Sequence, residues 1–110
     1  MKNLPLTVAR FVETSNARDV NAFVTCFATD AVVADEGRTH RGLDAVRAWK
    51  QESQDRYRYT IDPVRLAKRD GETILTATLA GDFPGSPVEL DYEFRIVDDA
   101  IETLSIRSVS

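Results

Sequence analysis

The sequence is poor in the side chains from which many sites are built. A single cysteine, Cys26, allows no internal disulfide, and a single histidine, His40, leaves no side-chain set for a typical zinc site. No apolar run approaches the length of a membrane span, and Pro5, Arg10 and Glu13 interrupt the N-terminal stretch before it reaches signal-peptide length. A basic block is missing too. Arg38, Arg41, Arg47, Arg56, Arg58, Arg65 and Arg69 are scattered through a chain of net charge −4, which repels phosphate backbones and anionic lipid. These absences argue against nucleic-acid and membrane partners and point to a cytoplasmic protein with no metal and no cofactor, its one thiol packed on an apolar-rich helix. Neither an internal repeat nor a low-complexity segment is present.

What remains is an ordinary globular composition, 43% hydrophobic and 29% charged over 110 residues. At this length roughly 65% of the unfolded chain's surface is buried on folding, enough for one core and one domain, residues 1–110. Leu4, Val8, Phe11 and Val12 recur at helical spacing, with Pro5 in the tolerant first turn, so a helix is expected from Leu4 to about Ser15. Asp19 is a good N-cap for a second helix bearing Val20, Phe23, Val24 and Phe27. A third opens at Gly42, presents Leu43, Val46 and Trp49 on one face, and ends in the polar run Lys50 to Asp55.

Between the second and third helices, Ala31 to Asp35 reads as a strand, Glu36-Gly37 as a turn and Arg38 to Arg41 as a short return. Nothing after the third helix has a helical pattern. Tyr57, Tyr59 and Ile61 alternate on odd numbers, but beyond Pro63 the apolar positions are Val64 and Leu66, a phase switch that a bulge at Asp62-Pro63 produces. Lys68 to Gly71 closes a hairpin onto Glu72 to Gly81, with Leu75, Ala77 and Leu79 facing one way. Phe83-Pro84-Gly85-Ser86-Pro87 is a breaker-rich loop, and Phe83 there is suited to touch a ligand or partner. Val88 to Ile96 alternates against Glu89, Asp91, Glu93 and Arg95 as a strand with one wet face. Asp98-Asp99 turns the chain into the last strand, Ile101 to Val109.

Arg10-Phe11-Val12-Glu13, Asp19-Val20-Asn21-Ala22, Phe27-Ala28-Thr29-Asp30-Ala31-Val32, Asp35, Gly42-Leu43-Asp44-Ala45-Val46 and Phe94-Arg95-Ile96-Val97-Asp98 span nearly the whole chain. In that order they resemble the nuclear transport factor 2-like superfamily, in its SnoaL-like and ketosteroid isomerase-like branch. The resemblance implies an α+β, cystatin-like cone in which three N-terminal helices pack in a strongly curved, mainly antiparallel sheet, with an apolar pocket at the open end. It also implies a homodimer formed through the outer sheet face. Function is specified less closely, because one fold hosts many chemistries.

Asp35 falls where the isomerases carry the carboxylate that removes a proton next to a carbonyl, and partial desolvation would strengthen such a base. Read from position alone, it equally suits a solvated residue supporting the turn at Glu36-Gly37. The family's tyrosine on the first helix is replaced by Phe11, and the position of its protonated acid falls near Tyr92, whose hydroxyl could donate to an enolate oxygen. A one-residue slip would substitute Asp91, but alternation with Phe94 and Ile96 favours Tyr92 inside. His40 is the one histidine that a SnoaL-like acid/base pair could recruit, although pairing across the turn separates it from Asp35. Phe11, Phe27, Trp49, Tyr57, Tyr59, Phe83, Phe94, Leu104 and Ile106 are the expected core and pocket lining. Two functions compete: proton transfer of isomerase or cyclase type on a small apolar carbonyl compound, and a non-catalytic ligand-binding or homodimeric module.

Overall fold

In a computed structural model, described over residues 4–109, the elements follow the order α1 (Leu6–Asn16), α2 (Val20–Val24), β1 (Phe27–Asp35), β2 (Arg38–Arg41), α3 (Leu43–Arg56), β3 (Tyr59–Arg69), β4 (Glu72–Gly81), β5 (Val88–Val97) and β6 (Ala100–Ser108). Asp19 caps α2 as expected, its carboxylate accepting the Ala22 N–H at 3.0 Å. Pro5 precedes α1 as its N-cap and so lies outside the first turn. Phe27 closes no helical stripe; α2 stops at Val24, and Phe27 begins β1.

Three tight turns set the register of the hairpins. Glu36-Gly37, Asp70-Gly71 and Asp98-Asp99 each place two successive residues at positive φ between directly paired strand ends, the backbone twist that two-residue hairpins need. The six strands form one sheet in the order β2-β1-β6-β5-β4-β3, antiparallel throughout except where β1 runs parallel to β6. The register of β3 on β4 slips between Pro63 and Arg65, so the expected bulge exists and bends the longest hairpin. Asn16 holds α1 against this bend: its side-chain amide donates to the Ile61 carbonyl at 3.0 Å and accepts the Ile61 N–H at 2.8 Å.

Helices and curved sheet enclose a core of Val8, Phe11, Phe23, Val33, Val46, Leu75, Phe94, Ile101 and Leu104, all at most 1% exposed. Phe11 is its hub, with ring centroids 5.1 Å from Phe23, 5.0 Å from Phe94 and 5.7 Å from Tyr92. Cys26 is buried beside it, and burial pushes its thiol up from the usual range. The outer sheet face is polar and internally paired, with Thr76 donating to Asp91, and Arg107 bonded to Glu93 at 3.2 Å. No helix among the described residues is long and apolar enough to cross a membrane.

Where β3 begins and β4 ends, the strands approach so closely that a Cβ on Gly81 would lie 2.0 Å from the Arg58 carbonyl oxygen and 2.7 Å from the Tyr59 Cα. Here the backbone itself demands glycine. The same junction is tied by Arg58 N–H to Asp82 Oδ1 at 2.8 Å and Gly81 N–H to Ser86 Oγ at 2.8 Å, which fixes the root of the Phe83 loop. Gly81→Ala must therefore part the strands, and a thermal melt should show Tm lowered by at least ~5 °C, the scale of a ~1 kcal/mol loss in a domain of this size. An unchanged melt would rule out the close approach.

Candidate functional site

Side chains alternate along a strand, so the buried positions Ala31 and Val33 place Asp35 on the same inner face. The rows across that face show where packing ends and space begins. Val33, Leu104 and Phe94 are adjacent in register and fully packed. Two residues further along, Tyr92 lies between Ile106 and Leu75, and the sheet opens over a cavity of about 720 Å³. Asp35, Tyr92, Ile106, Leu90, Leu79 and Val88 form the sheet side of that cavity, while Trp49, Lys50 and Ser53 of α3 form the opposite wall. Its volume falls in the range of sites that hold small molecules.

The Asp35 carboxylate is half-buried and accepts the Trp49 indole N–H at 3.1 Å through Oδ2. It makes no hydrogen bond to the turn that follows, so the pocket orientation and not turn support describes it. Tyr92 is 3% exposed, and its hydroxyl has no protein partner among the described residues. Since no fully enclosed side-chain polar atom there lacks a partner, that hydroxyl reaches the cavity. Burial, with Tyr59 and Asp35 adding their charge, pushes the Tyr92 phenol far above its ordinary range and keeps it a neutral donor. Two strand spacings, about 10 Å, separate the Asp35 and Tyr92 backbones across β6, room for a ligand between the two groups.

Of the other residues expected at the site, Phe11, Tyr57, Tyr59, Phe83 and Ile106 line the cavity. Phe83 packs against Tyr57 at the mouth, ring centroids 6.1 Å apart. His40 lines it as well, opposite Val33 in the β1–β2 ladder, with its ring 6.0 Å from Trp49. It does not hydrogen-bond Asp35. Phe27, Phe94 and Leu104 do not reach the cavity: they are buried at its narrow end, where the aromatic cluster around Phe11 leaves no space. The slip that would bring Asp91 inward does not occur; Asp91 faces outward against Thr76.

Lys50 is a site residue that the helical pattern hid. Val46, Lys50 and Gln54 form one buried stripe at spacing four on α3, and Lys50 is only 3% exposed. Its Nζ donates to Ser15 Oγ at 2.6 Å and to the Tyr59 hydroxyl at 3.0 Å, and it lies 4.6 Å from the Phe23 ring centroid. Ser53 Oγ shares a 2.6 Å hydrogen bond with the same tyrosine hydroxyl. Burial lowers the Lys50 pKa from 10.5 to about 7; the nearby Arg18 cation lowers it too, and Asp35 partly opposes both. Arg18 is held there by donating to the Gln54 and Tyr57 carbonyls at the end of α3. Among the described residues no three His, Cys, Asp or Glu side chains gather as metal ligands.

Residues 8–101 match the SnoaL-like domain family. The chain belongs to that family. Its fold is the nuclear transport factor 2-like, cystatin-like cone. A Sinorhizobium meliloti protein named as a candidate polyketide cyclase is 35% identical, with 94% of this chain and 95% of that one covered at a TM-score of 0.90. A Catenulispora acidiphila protein with a ketosteroid isomerase-like fold, solved in complex with trimethylamine, is 19% identical, with 96% and 86% covered at a TM-score of 0.85. A Pseudomonas putida protein, also named as a candidate polyketide cyclase, is 19% identical over 94% and 89% at 0.78. The last two likenesses concern the fold alone. Among curated proteins no sequence matches the chain.

Lys50 also gives the SnoaL-like domain a pH signature. Unfolded, its amine keeps a proton up to about pH 10.4; folded, it releases that proton near 7. The unfolded state then binds more protons, so stability rises with pH from about 7, by up to ~1.4 kcal/mol per unit. Cys26, Tyr59 and Tyr92, all raised by burial, act in the opposite sense, and only as their unfolded forms ionise at higher pH. Thermal melts between about pH 6 and 8.5 should show wild-type Tm climbing relative to Lys50→Met. Parallel curves would mean that the amine titrates normally in the folded protein.

Proposed function

We propose that this SnoaL-like protein binds a small, mainly apolar carbonyl compound and transfers a proton at the carbon beside the carbonyl, as isomerases and cyclases do. Asp35 is the general base and Tyr92 the donor to the developing enolate oxygen. The observation that supports this reading is that a carboxylate and an unpartnered phenol face one cavity from opposite sides of β6. Trp49 occupies Oδ2 and fixes the plane of the carboxylate, leaving Oδ1 to take the proton. Tyr92, held neutral by its surroundings, donates where negative charge accumulates.

Apolar walls provided by Phe11, Ile61, Leu79, Val88 and Ile106 favour a hydrocarbon ring or chain over a sugar or nucleotide. Phe11 has no hydroxyl, and the Tyr59 hydroxyl is engaged by Lys50 and Ser53, so Tyr92 carries the oxyanion contact alone. His40 stands at the rim beside Trp49 and serves at most the proton's exchange with solvent. The reading is tested by deuterium uptake at the carbons flanking the carbonyl in a panel of cyclic ketones. Wild type should exchange above background, Asp35→Asn should fall to background, and Tyr92→Phe should slow exchange by roughly 10²-fold, the usual loss for one oxyanion donor. Background rates for all three would leave a ligand-binding module without this chemistry.

A further inference from the structure

Lys50 has no part in the proton transfer described above, yet its placement is costly and specific. An amine buried this far normally lies beside a carboxylate, but Lys50 makes no ion pair within 4.0 Å among the described residues. Its polar partners are two hydroxyl oxygens, Ser15 on α1 and Tyr59 on β3. A neutral amine has two N–H donors and one lone pair. Two hydrogen bonds from Nζ therefore satisfy both donors of the neutral form and leave the lone pair free, whereas the third proton of an ammonium would meet no oxygen or nitrogen acceptor, only the rings of Phe23, Tyr59 and Trp49 at 4.6, 5.0 and 5.9 Å from Nζ. Lys50 is part of the cavity wall, on the helix turn that also carries Trp49 and Ser53.

We propose that Lys50 captures carbonyl compounds covalently in this cavity, its Nζ forming an imine with the carbonyl carbon. The inference rests on the proton-transfer reading only for the class of ligand. In the first step the Nζ lone pair forms a bond to the carbonyl carbon as the C–O π pair moves to oxygen; that oxygen gains a proton and the nitrogen loses one, giving a carbinolamine. In the second, the carbinolamine oxygen takes up a further proton and leaves as water while the nitrogen pair completes the C=N bond, so amine, ketone and one proton have become protonated imine plus water; loss of the N–H proton then gives the neutral imine. Tyr92 supplies a hydroxyl along this route, and Asp35 lies close enough to act on the charge of Lys50, Tyr59 and Tyr92 alike. A protonated imine is a stronger electron sink than a ketone, so capture at Lys50 would ease removal of the adjacent proton by Asp35. The lowered proton affinity of Lys50 is in keeping with this role, since only the unprotonated amine attacks. The groups that tune it are Arg18, which pushes towards the neutral form, and Asp35, which opposes; Ser15 and Tyr59 are its hydrogen-bond partners.

The chain has three lysines, Lys2, Lys50 and Lys68, so the site of capture is read directly. Full-length protein is incubated with cyclohexanone and sodium cyanoborohydride, whose hydride reduces any imine to a stable N-cyclohexyl amine, and peptides are mapped by mass spectrometry. At neutral pH Lys50 should be labelled at least ~10-fold faster than the exposed Lys68. Its rate should level off once the pH passes about 7. Asp35→Asn should lose ketone deuterium exchange but still label at Lys50, which separates failure of the proton-transfer reading from failure of this one. Lys50 labelled no faster than Lys68, or labelled at a rate still climbing above about pH 9, would overturn the proposal. Because wild type alone decides it, the outcome does not depend on any variant folding.

Discussion

The hydrogen bond from the Trp49 indole to the Asp35 carboxylate joins the middle of α3 to the last residue of β1, and the cavity takes its shape from that contact. Without it a carboxylate next to a hairpin turn would sample solvent. With it, the charge is fixed towards the sheet interior, and α3 is held where its next residue, Lys50, meets Ser15 and Tyr59. Adjacent residues on one helix turn therefore grip both polar ends of the same hollow. The usual cost of such burial is offset by complete hydrogen bonding: no enclosed side-chain polar atom among the described residues lacks a partner.

The hollow exists because the sheet is longer and more bent than the helices can fill. At the narrow end Phe11, Phe23, Phe27 and Phe94 meet ring against ring and close the core. One pleat further on, the residues are Tyr92, Ile106 and Asp35, and opposite them the helix offers Trp49 and Ser53. The bulge at Pro63–Arg65 and the clamp by Asn16 keep β3 curved over the opening. The Gly81 junction anchors the loop that brings Phe83 to the mouth. Fold and site are thus the same construction seen at two depths.

Much of this was legible in the residues, for physical reasons that can be named. Glu36-Gly37, Asp70-Gly71 and Asp98-Asp99 lie between alternating segments, and a two-residue turn fixes register and therefore facing. Alternation with Phe94 and Ile96 placed Tyr92 inward, whereas position alone left Asp35 open between pocket and turn, and only the family resemblance favoured the pocket. The phase switch at Pro63 marked the bulge. Alternation, however, reports which face a side chain takes and not how far along the cone it sits. Phe94 and Leu104 share a face with Tyr92 and Ile106 yet lie in the packed part. Phe27 matched helical spacing because α2 is too short for its period to separate from that of a strand. Lys50 was hidden by its own type: it continues the Leu43 and Val46 face four residues beyond Val46, but lysine normally marks a solvated surface, and the apolar stripe ends at Trp49.

The central claim is that an amine, a carboxylate and a phenol share one sheltered cavity, in which the carboxylate acts on the charge of the other two. It is tested most directly by following the Lys50 side-chain carbon signals with pH by NMR, in wild type and in Asp35→Asn. The account predicts a midpoint at about 7 in the wild type, moved lower when the opposing charge of Asp35 is removed. A midpoint near the ordinary value of about 10.4, or one indifferent to Asp35, would contradict it.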